Sequence, residues 1–405
     1  MPTTRDRHHE VIVVGARAAG ASTAMLLARM GHDVALVDKA QFPSDTLSTH
    51  ALSRGAVVQL NRWGLLDDVL ATGTPAVRQV TFGTTEGQLT RPIKTTAGVS
   101  ILLAPRRVWL DALLADAAKR AGAEPYLQTT VRGLVRAADG RLTGVATTHP
   151  AHGQRRLTAD LVIIADGVRS RLARGVGARS LSASISPSGT FYGYVDGLDD
   201  RGFEFHLAPR AMAGVFRTHD DQACVWISSP TDASRPLLSA GAERPAALTA
   251  SIAAAAPELG DRLRRTGWAS PIRGAVNLPN VVRQPYGRGW ALVGDAGYHR
   301  DPITGHGITD AFRDAELLAR AAHQSLIGEL EEASALSGYA FDRNKAIAEI
   351  SGLTRALTSF PGVQRFVELQ KRLSDAIERE AVALAAQPLP GPTEARRPAE
   401  VQLMS

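Results

Sequence analysis

The chain contains a single cysteine, Cys224, in 405 residues. One thiol excludes a disulfide framework, a redox dithiol pair and a cysteine-rich metal site. Long apolar runs are also missing: none approaches the roughly 18 residues that a membrane span needs. There is no internal repeat, which rules out a solenoid or propeller reading. Blocks of one charge sign are lacking as well. The 46 basic and 40 acidic residues give +6, but they are scattered, which argues against nucleic acid as a partner and leaves a weak indication of an anionic small molecule. The first residues, Arg5 to Glu10, lead directly into a strand and leave no room for a secretory signal, so a cytoplasmic location is expected.

What is present is ordinary globular material, 44% hydrophobic and 21% charged, enough for a large core and incompatible with global disorder, collagen or coiled coil. Val11–Val14 is a β-branched run ending at Gly15. Ala21, Met25, Leu26 and Leu27 then recur at helical spacing, and Val34–Val37 is a second β-branched run closed by Asp38. This βαβ unit of about 30 residues has the size of a mononucleotide-binding half. Helices are predicted around Val57–Leu70, Arg107–Ala121, Arg244–Ala255 and Ile308–Ala322, and across 332–386. Strands are predicted near Val77–Thr84, Ser100–Leu103, Glu124–Arg136, Arg141–Thr148, Leu161–Ala165 and Trp290–Val293. Residues 180–280 read as a mostly β segment. The division that follows is 1–179 and 281–330 as two parts of one nucleotide-binding domain, 180–280 as a β-rich substrate domain, 331–387 as C-terminal helices, and 388–405 as a proline-rich tail expected to be disordered.

Three stretches carry chemistry. The first, Gly15-Ala16-Arg17-Ala18-Ala19-Gly20, sits between strand and helix. A dinucleotide fingerprint uses glycine at the tight turn, at the closest approach to pyrophosphate and at the helix–strand contact. Here the first and third are glycine, while Arg17 takes the middle position, where a guanidinium can pair with phosphate or ribose oxygens. Asp38, followed by Lys39, comes about 20 residues on, the interval of a carboxylate that binds adenosine ribose hydroxyls. The second stretch ends a buried strand at Asp166-Gly167. The third ends another at Gly294-Asp295, then runs through Pro302, Gly305 and Gly307 into a helix. Each alone is strand-end punctuation. Together they place three glycine–carboxylate combinations at strand ends, where α/β sheets bind ligands.

With these motifs the chain resembles the single-fingerprint FAD-dependent monooxygenases, the p-hydroxybenzoate hydroxylase-like family, which is related to flavin halogenases and geranylgeranyl reductases. The resemblance covers about residues 10–170 and 285–325. It implies an α/β fold: a Rossmann-like FAD-binding domain, an inserted mostly β substrate domain and C-terminal helices. It implies that Asp166 lies near the cofactor and the nicotinamide route, that Asp295 binds the ribityl chain, that Arg107 contacts FAD and that the Val131 backbone meets adenine. A helix starting near Gly307 would present N–H groups to the anionic edge of reduced flavin.

His50, in a polar loop, is a candidate for the substrate or ribityl side. Tyr192, Tyr194 and Trp226 are expected on one face of the inserted sheet, roofing a pocket over the flavin. His299 beside Asp301 has no third ligand at metal spacing, so no metal is expected. The implied reaction uses FAD, NAD(P)H as a transient co-substrate and O2 to hydroxylate an aromatic or electron-rich small molecule through a flavin hydroperoxide, with placement and electrostatics doing most of the catalysis. The alternatives are an FAD-dependent reductase of prenyl-type double bonds, a flavin halogenase and a non-redox FAD-binding cyclase. A halogenase is disfavoured because Val225-Trp226-Ile227-Ser228-Ser229-Pro230 lacks the Trp-x-Trp-x-Ile-Pro run.

Overall fold

The computed structural model describes residues 7–84 and 87–390. Arg5, Asp6 and most of the expected tail, from residue 391, lie outside the described residues.

The βαβ unit forms as its pattern requires. Strand Arg7–Val14 pairs in parallel with Val34–Val37 on one side and with Gly153–Ile164 on the other, and helix Ala18–Arg29 crosses between the first two. Trp290–Leu292 joins in parallel beyond Gly153–Ile164, and Glu124–Tyr126 extends the far side. These short runs of Val, Ile and Leu are buried on both faces, as strands between helical and sheet layers must be. Tyr286–Gly287 pairs antiparallel with Trp290–Leu292, and Leu142–His149 and Thr130–Arg136 add an antiparallel flap to Gly153–Ile164, completing eight strands. Glu124–Arg136, expected as one strand, is broken at residues 127–129. There the Gln128 and Thr129 amides turn to the carbonyls of Ala40 and Asp38.

A second, seven-stranded sheet runs in the order 273–276, 188–196, 222–230, 211–217, 203–208, 79–84, 87–92. It draws on the antiparallel pair Gln79–Thr84 and Gly87–Pro92 as well as on residues 188–276, because Gln79–Thr84 pairs in parallel with Phe203–Ala208. Ser100–Leu103, predicted as a strand, makes only isolated bridges from Leu103 to Leu52 and from Leu102 to Val77. A small third sheet holds Tyr298–His299, Pro279–Arg283 and Ser180–Ile185. The helix predicted across Val57–Leu70 is two, Arg54–Arg62 and Leu66–Ala71, separated at Gly64, whose φ is 71°.

One face of the second sheet packs Phe203, Met212, Phe216 and Trp226 against Leu353, Phe366 and Leu369 of the long helices Glu332–Leu357 and Val363–Ala386. Its other face is covered by helices Arg244–Ala255 and Pro257–Thr266. Helix Gly307–Leu326 lies against helix Ala18–Arg29, so the carboxyl ends of the central strands, the fingerprint turn and the start of Gly307–Leu326 face one another. Among the described residues no helix is long and apolar enough to cross a membrane.

Candidate active site

A cavity of about 1340 Å³ runs along these strand ends, larger than the roughly 300–1,000 Å³ of most small-molecule pockets. It is lined by Gly15, Arg17, Ala19, Asp38, Lys39, Arg107, Val131, Asp166, Gly167, Asp295, Pro302, Gly305 and Gly307, and by His50 and Tyr192. The three separated stretches therefore share one groove.

The fingerprint turn is closed by packing. A Cβ on Gly15 would lie 2.3 Å from the Ala165 carbonyl oxygen, and one on Gly20 would lie 1.8 Å from the Gly15 oxygen. Gly20 and Gly294 do not line the cavity. Gly20 brings helix to strand, and Gly294, with φ 58°, presses against Ala19, whose Cβ would be 2.5 Å from an added one. Gly167, Gly305 and Gly307 differ: nothing lies within 4 Å of a Cβ added there. Two kinds of glycine thus share the motifs, one packed beneath the cavity and one open to it.

The Asp38 carboxylate accepts the Ala16 N–H at 2.7 Å and the Ala40 N–H at 2.7 Å, one on each oxygen. It is held rigidly with an acceptor site left on each oxygen. Arg17 turns sideways from the turn. It donates to Asp111 at 2.7 Å, to the Ser44 hydroxyl at 3.0 Å and to the Asp45 carbonyl at 3.1 Å. Asp111 is fully buried and also receives Arg107 Nε at 2.9 Å. One buried carboxylate therefore fixes two cavity-lining guanidiniums and leaves a net positive charge facing the groove. Asp111 was not predicted; its signal was the i, i+4 spacing from Arg107 on a helix.

Asp295 lies between buried Gly294 and Ala296, yet its own side chain is exposed, opens to the cavity and accepts no hydrogen bond from the described residues. Its enclosed surroundings push its pKa up, with His299 and then Arg107 opposing. Burial likewise raises Asp166. Arg283, also unpredicted and with no sequence signal, stitches the two loops together. It donates to the carbonyls of Ala296 at 2.8 Å and Val168 at 3.1 Å. Helix Gly307–Leu326 starts at His306 without a side-chain cap, so its first-turn N–H groups, beside cavity-lining Gly307 and Ile308, are free for a ligand. Beneath it, Arg313 pairs with Asp310 at 2.7 Å and Glu380 at 2.9 Å, and Arg300 with Asp310 at 2.6 Å. His306, Asp310 and Glu380 come within 4.8 Å of one another, but these arginines already neutralise the carboxylates. Asp301 is bound by Ser186 at 2.6 Å and by Ser188, and His299 donates from Nδ1 to the Pro279 carbonyl; neither is arranged as a metal ligand.

On the sheet side, Tyr192, Tyr194 and Trp226 share a face, with Tyr192 opposite Trp226 in the ladder. Only Tyr192 reaches the cavity, its hydroxyl accepting the Ser48 N–H at 3.2 Å. Trp226 does not roof the pocket, as the alternation had suggested; it is buried against Phe205 and Phe216. Tyr194 lies one layer back and meets His50. His50 Nδ1 accepts the Arg107 N–H at 3.3 Å, so Nε2 carries the proton and donates to the Tyr194 hydroxyl. Burial, aided by Arg107 and Arg106, holds the His50 pKa well below its ordinary value, so the ring is neutral. Its backbone is left-handed at φ 69°, a conformation that surrounding contacts must maintain.

The residues present fit an elongated dinucleotide. A ribose-type carboxylate, a positively charged turn, an unpartnered carboxylate and an uncapped helix start follow one another along a single groove.

A family model described as FAD binding domain matches residues 8–234, and one described as Squalene epoxidase matches residues 273–367. Digeranylgeranylglycerophospholipid reductase of Methanocella arvoryzae is 26% identical over 84% of this chain and 84% of its own length. Kynurenine 3-monooxygenase of Salinispora arenicola is 26% identical over 86% of this chain and 79% of its own. Among solved structures, the flavin-dependent brominase Bmp2 superposes with a TM-score of 0.79 at 18% identity, covering 94% of each chain. PqsL of Pseudomonas aeruginosa in complex with 2-aminobenzoylacetate gives 0.76 at 21%, covering 90% of this chain and all of PqsL. At those identities the two structures speak to the fold alone. With the FAD binding domain model spanning more than half its length, the chain belongs to that family and is an FAD-dependent oxidoreductase.

Proposed function

We propose that the protein is an FAD-dependent monooxygenase that uses NAD(P)H and O2 to hydroxylate an aromatic or electron-rich small molecule. One observation carries this reading. The Squalene epoxidase match at 273–367 spans the Asp295 loop, the whole of helix Gly307–Leu326 with its free start at the cavity, and the whole of helix Glu332–Leu357. An epoxidase is an oxygen-inserting enzyme, and the kynurenine monooxygenase relative adds weight.

In this reading bound FAD would supply the capacity to take hydride from NAD(P)H and to activate O2. The chain's own residues place and sequester the reaction. Asp38 would hold the adenosine ribose, and the Gly15 turn with the start of helix Ala18–Arg29 would hold the pyrophosphate. The Val131 backbone would meet adenine, and Asp295 the ribityl chain. The N–H groups at Gly307 and Ile308 would stabilise negative charge at the end of the cavity nearest Asp295. Arg107, fixed by Asp111, adds positive potential beside them. Neutral His50 and Tyr192 would border the substrate, held in place by their hydrogen bonds with Tyr194, the Arg107 N–H and the Ser48 N–H.

The test is substrate-stimulated NAD(P)H oxidation by the purified protein, with O2 uptake and isotopically labelled O2 followed into product. Label in the product supports hydroxylation. A second reading, reduction of prenyl-type double bonds, is favoured by the digeranylgeranylglycerophospholipid and menaquinone reductase relatives. It predicts turnover without O2 and a product gaining two hydrogens.

A further inference from the structure

We propose that edge strand Ser180–Ile185 and the arginine-rich segment before it form a docking face for an anionic lipid bilayer surface. The strand pairs on one side only, with Pro279–Arg283, and closes the small third sheet. All six of its residues are exposed. Ala183 and Ile185 alternate with Ser182 and Ser184, and a register shift at Leu181 interrupts the alternation toward Ser180; Leu181 is 53% and Ile185 63% exposed. Edges of this kind are ordinarily protected by charge, proline or a bulge within the strand; this one has a register shift at Leu181 but no charged residue and no proline.

The charge lies immediately upstream. Between Asp166 and Asp196 the chain carries Arg169, Arg171, Arg174 and Arg179 and no acid. All four are exposed. The side chains of the first three make no ion pair or hydrogen bond with any described residue, and the Arg179 side chain donates only to neutral Gln284, at 3.2 Å. Arg179 immediately precedes the strand, so its exposed guanidinium adjoins exposed Leu181 along the chain. Unneutralised guanidiniums beside exposed Leu and Ile are complementary to lipid phosphates over an acyl boundary. A bilayer surface offers both complements at once, phosphates for the guanidiniums and acyl chains for Leu181 and Ile185. The face adjoins the cavity: Ala183 pairs with Val281, and Val281 with cavity-lining His299, while Arg169 and Arg171 stand on the rim.

The test is co-sedimentation of the full-length purified protein with phosphatidylcholine vesicles with and without phosphatidylglycerol, at low and high salt, flavin content being recorded separately so that docking and cofactor binding are judged independently. Binding that requires phosphatidylglycerol and weakens with salt is expected. Leu181→Ser/Ile185→Ser and, independently, Arg174→Glu/Arg179→Glu should each lower partitioning about tenfold or more, with melting temperature and flavin content unchanged. Three results would overturn the proposal: no phosphatidylglycerol-dependent binding by the parent protein, variants that bind as it does, or a concentration-dependent dimer abolished by Leu181→Ser/Ile185→Ser, which would make a second copy the occupant.

Discussion

Replacing Asp38 with alanine separates a cofactor role from a folding role. The carboxylate uses one site on each oxygen for the Ala16 and Ala40 amides, both at 2.7 Å, and offers the remaining two to vicinal hydroxyls. A hydrogen bond to a charged acceptor contributes about 1.5–3 kcal/mol, so two contribute about 3–6 kcal/mol. Water in the open groove rehydrates the freed hydroxyls, which favours the lower end; about 3 kcal/mol corresponds to an FAD affinity lowered roughly 150-fold. The assay is quenching of flavin fluorescence on titrating apoprotein, run in parallel with riboflavin, which has neither the adenosine nor the phosphates. Asp38→Ala should weaken FAD while leaving riboflavin within a few-fold of the parent, and Asp38→Asn should fall between. Equal losses for both ligands would mean that Asp38 acts by ordering the turn. An unchanged FAD affinity would remove it from the site.

Asp295→Ala should weaken FAD and riboflavin alike, since its proposed partner is the ribityl chain common to both; unchanged retention would exclude the ribityl role. Arg283→Met should free the Asp166 and Asp295 loops and raise the FAD dissociation rate about tenfold, and Arg283→Lys should not rescue it, because one ammonium cannot reproduce a fork that reaches both loops. Stopped-flow release measures both. Gly294→Ala should destabilise the fold by about 2–5 kcal/mol, from φ 58° and the Ala19 contact, read as a lowered urea midpoint; a parent-like midpoint would refute the packing argument. His50 lies below its ordinary pKa through burial, and His219 is lowered to about 4, mainly by burial and then Arg106. Both bind protons more readily when unfolded, so their contribution is complete above about pH 6.5 and is lost as pH falls through that value toward 4. Urea midpoints measured across this range should fall, and His219→Gln should flatten the slope.

The parts legible in the sequence were those set by local pattern. The run Val11–Val14, the turn at Gly15 and the spacing to Asp38 dictate a βαβ unit whatever the rest of the chain does. Glycine–carboxylate pairs at three strand ends converge because parallel strands present their carboxyl ends on one edge. What escaped was set by tertiary partners. Trp226 faces the same side as Tyr192, as alternation requires, but it packs against Phe205 and Phe216 and does not line the groove. Ser100–Leu103 has strand composition and lacks a continuous partner. Gln79–Thr84 joins the second sheet through parallel pairing with a strand more than a hundred residues away. Arg283 makes its bonds to backbone carbonyls, which leave no trace in residue identity.

The central claim is that the groove from Asp38 to Asp295 holds FAD. The most direct test is the visible absorption spectrum of the purified protein before and after denaturation, with the released chromophore identified by chromatography. The account predicts a yellow protein that releases FAD, or a colourless one that takes up added FAD and turns yellow. A folded protein that carries no flavin and binds none when FAD is supplied would contradict it.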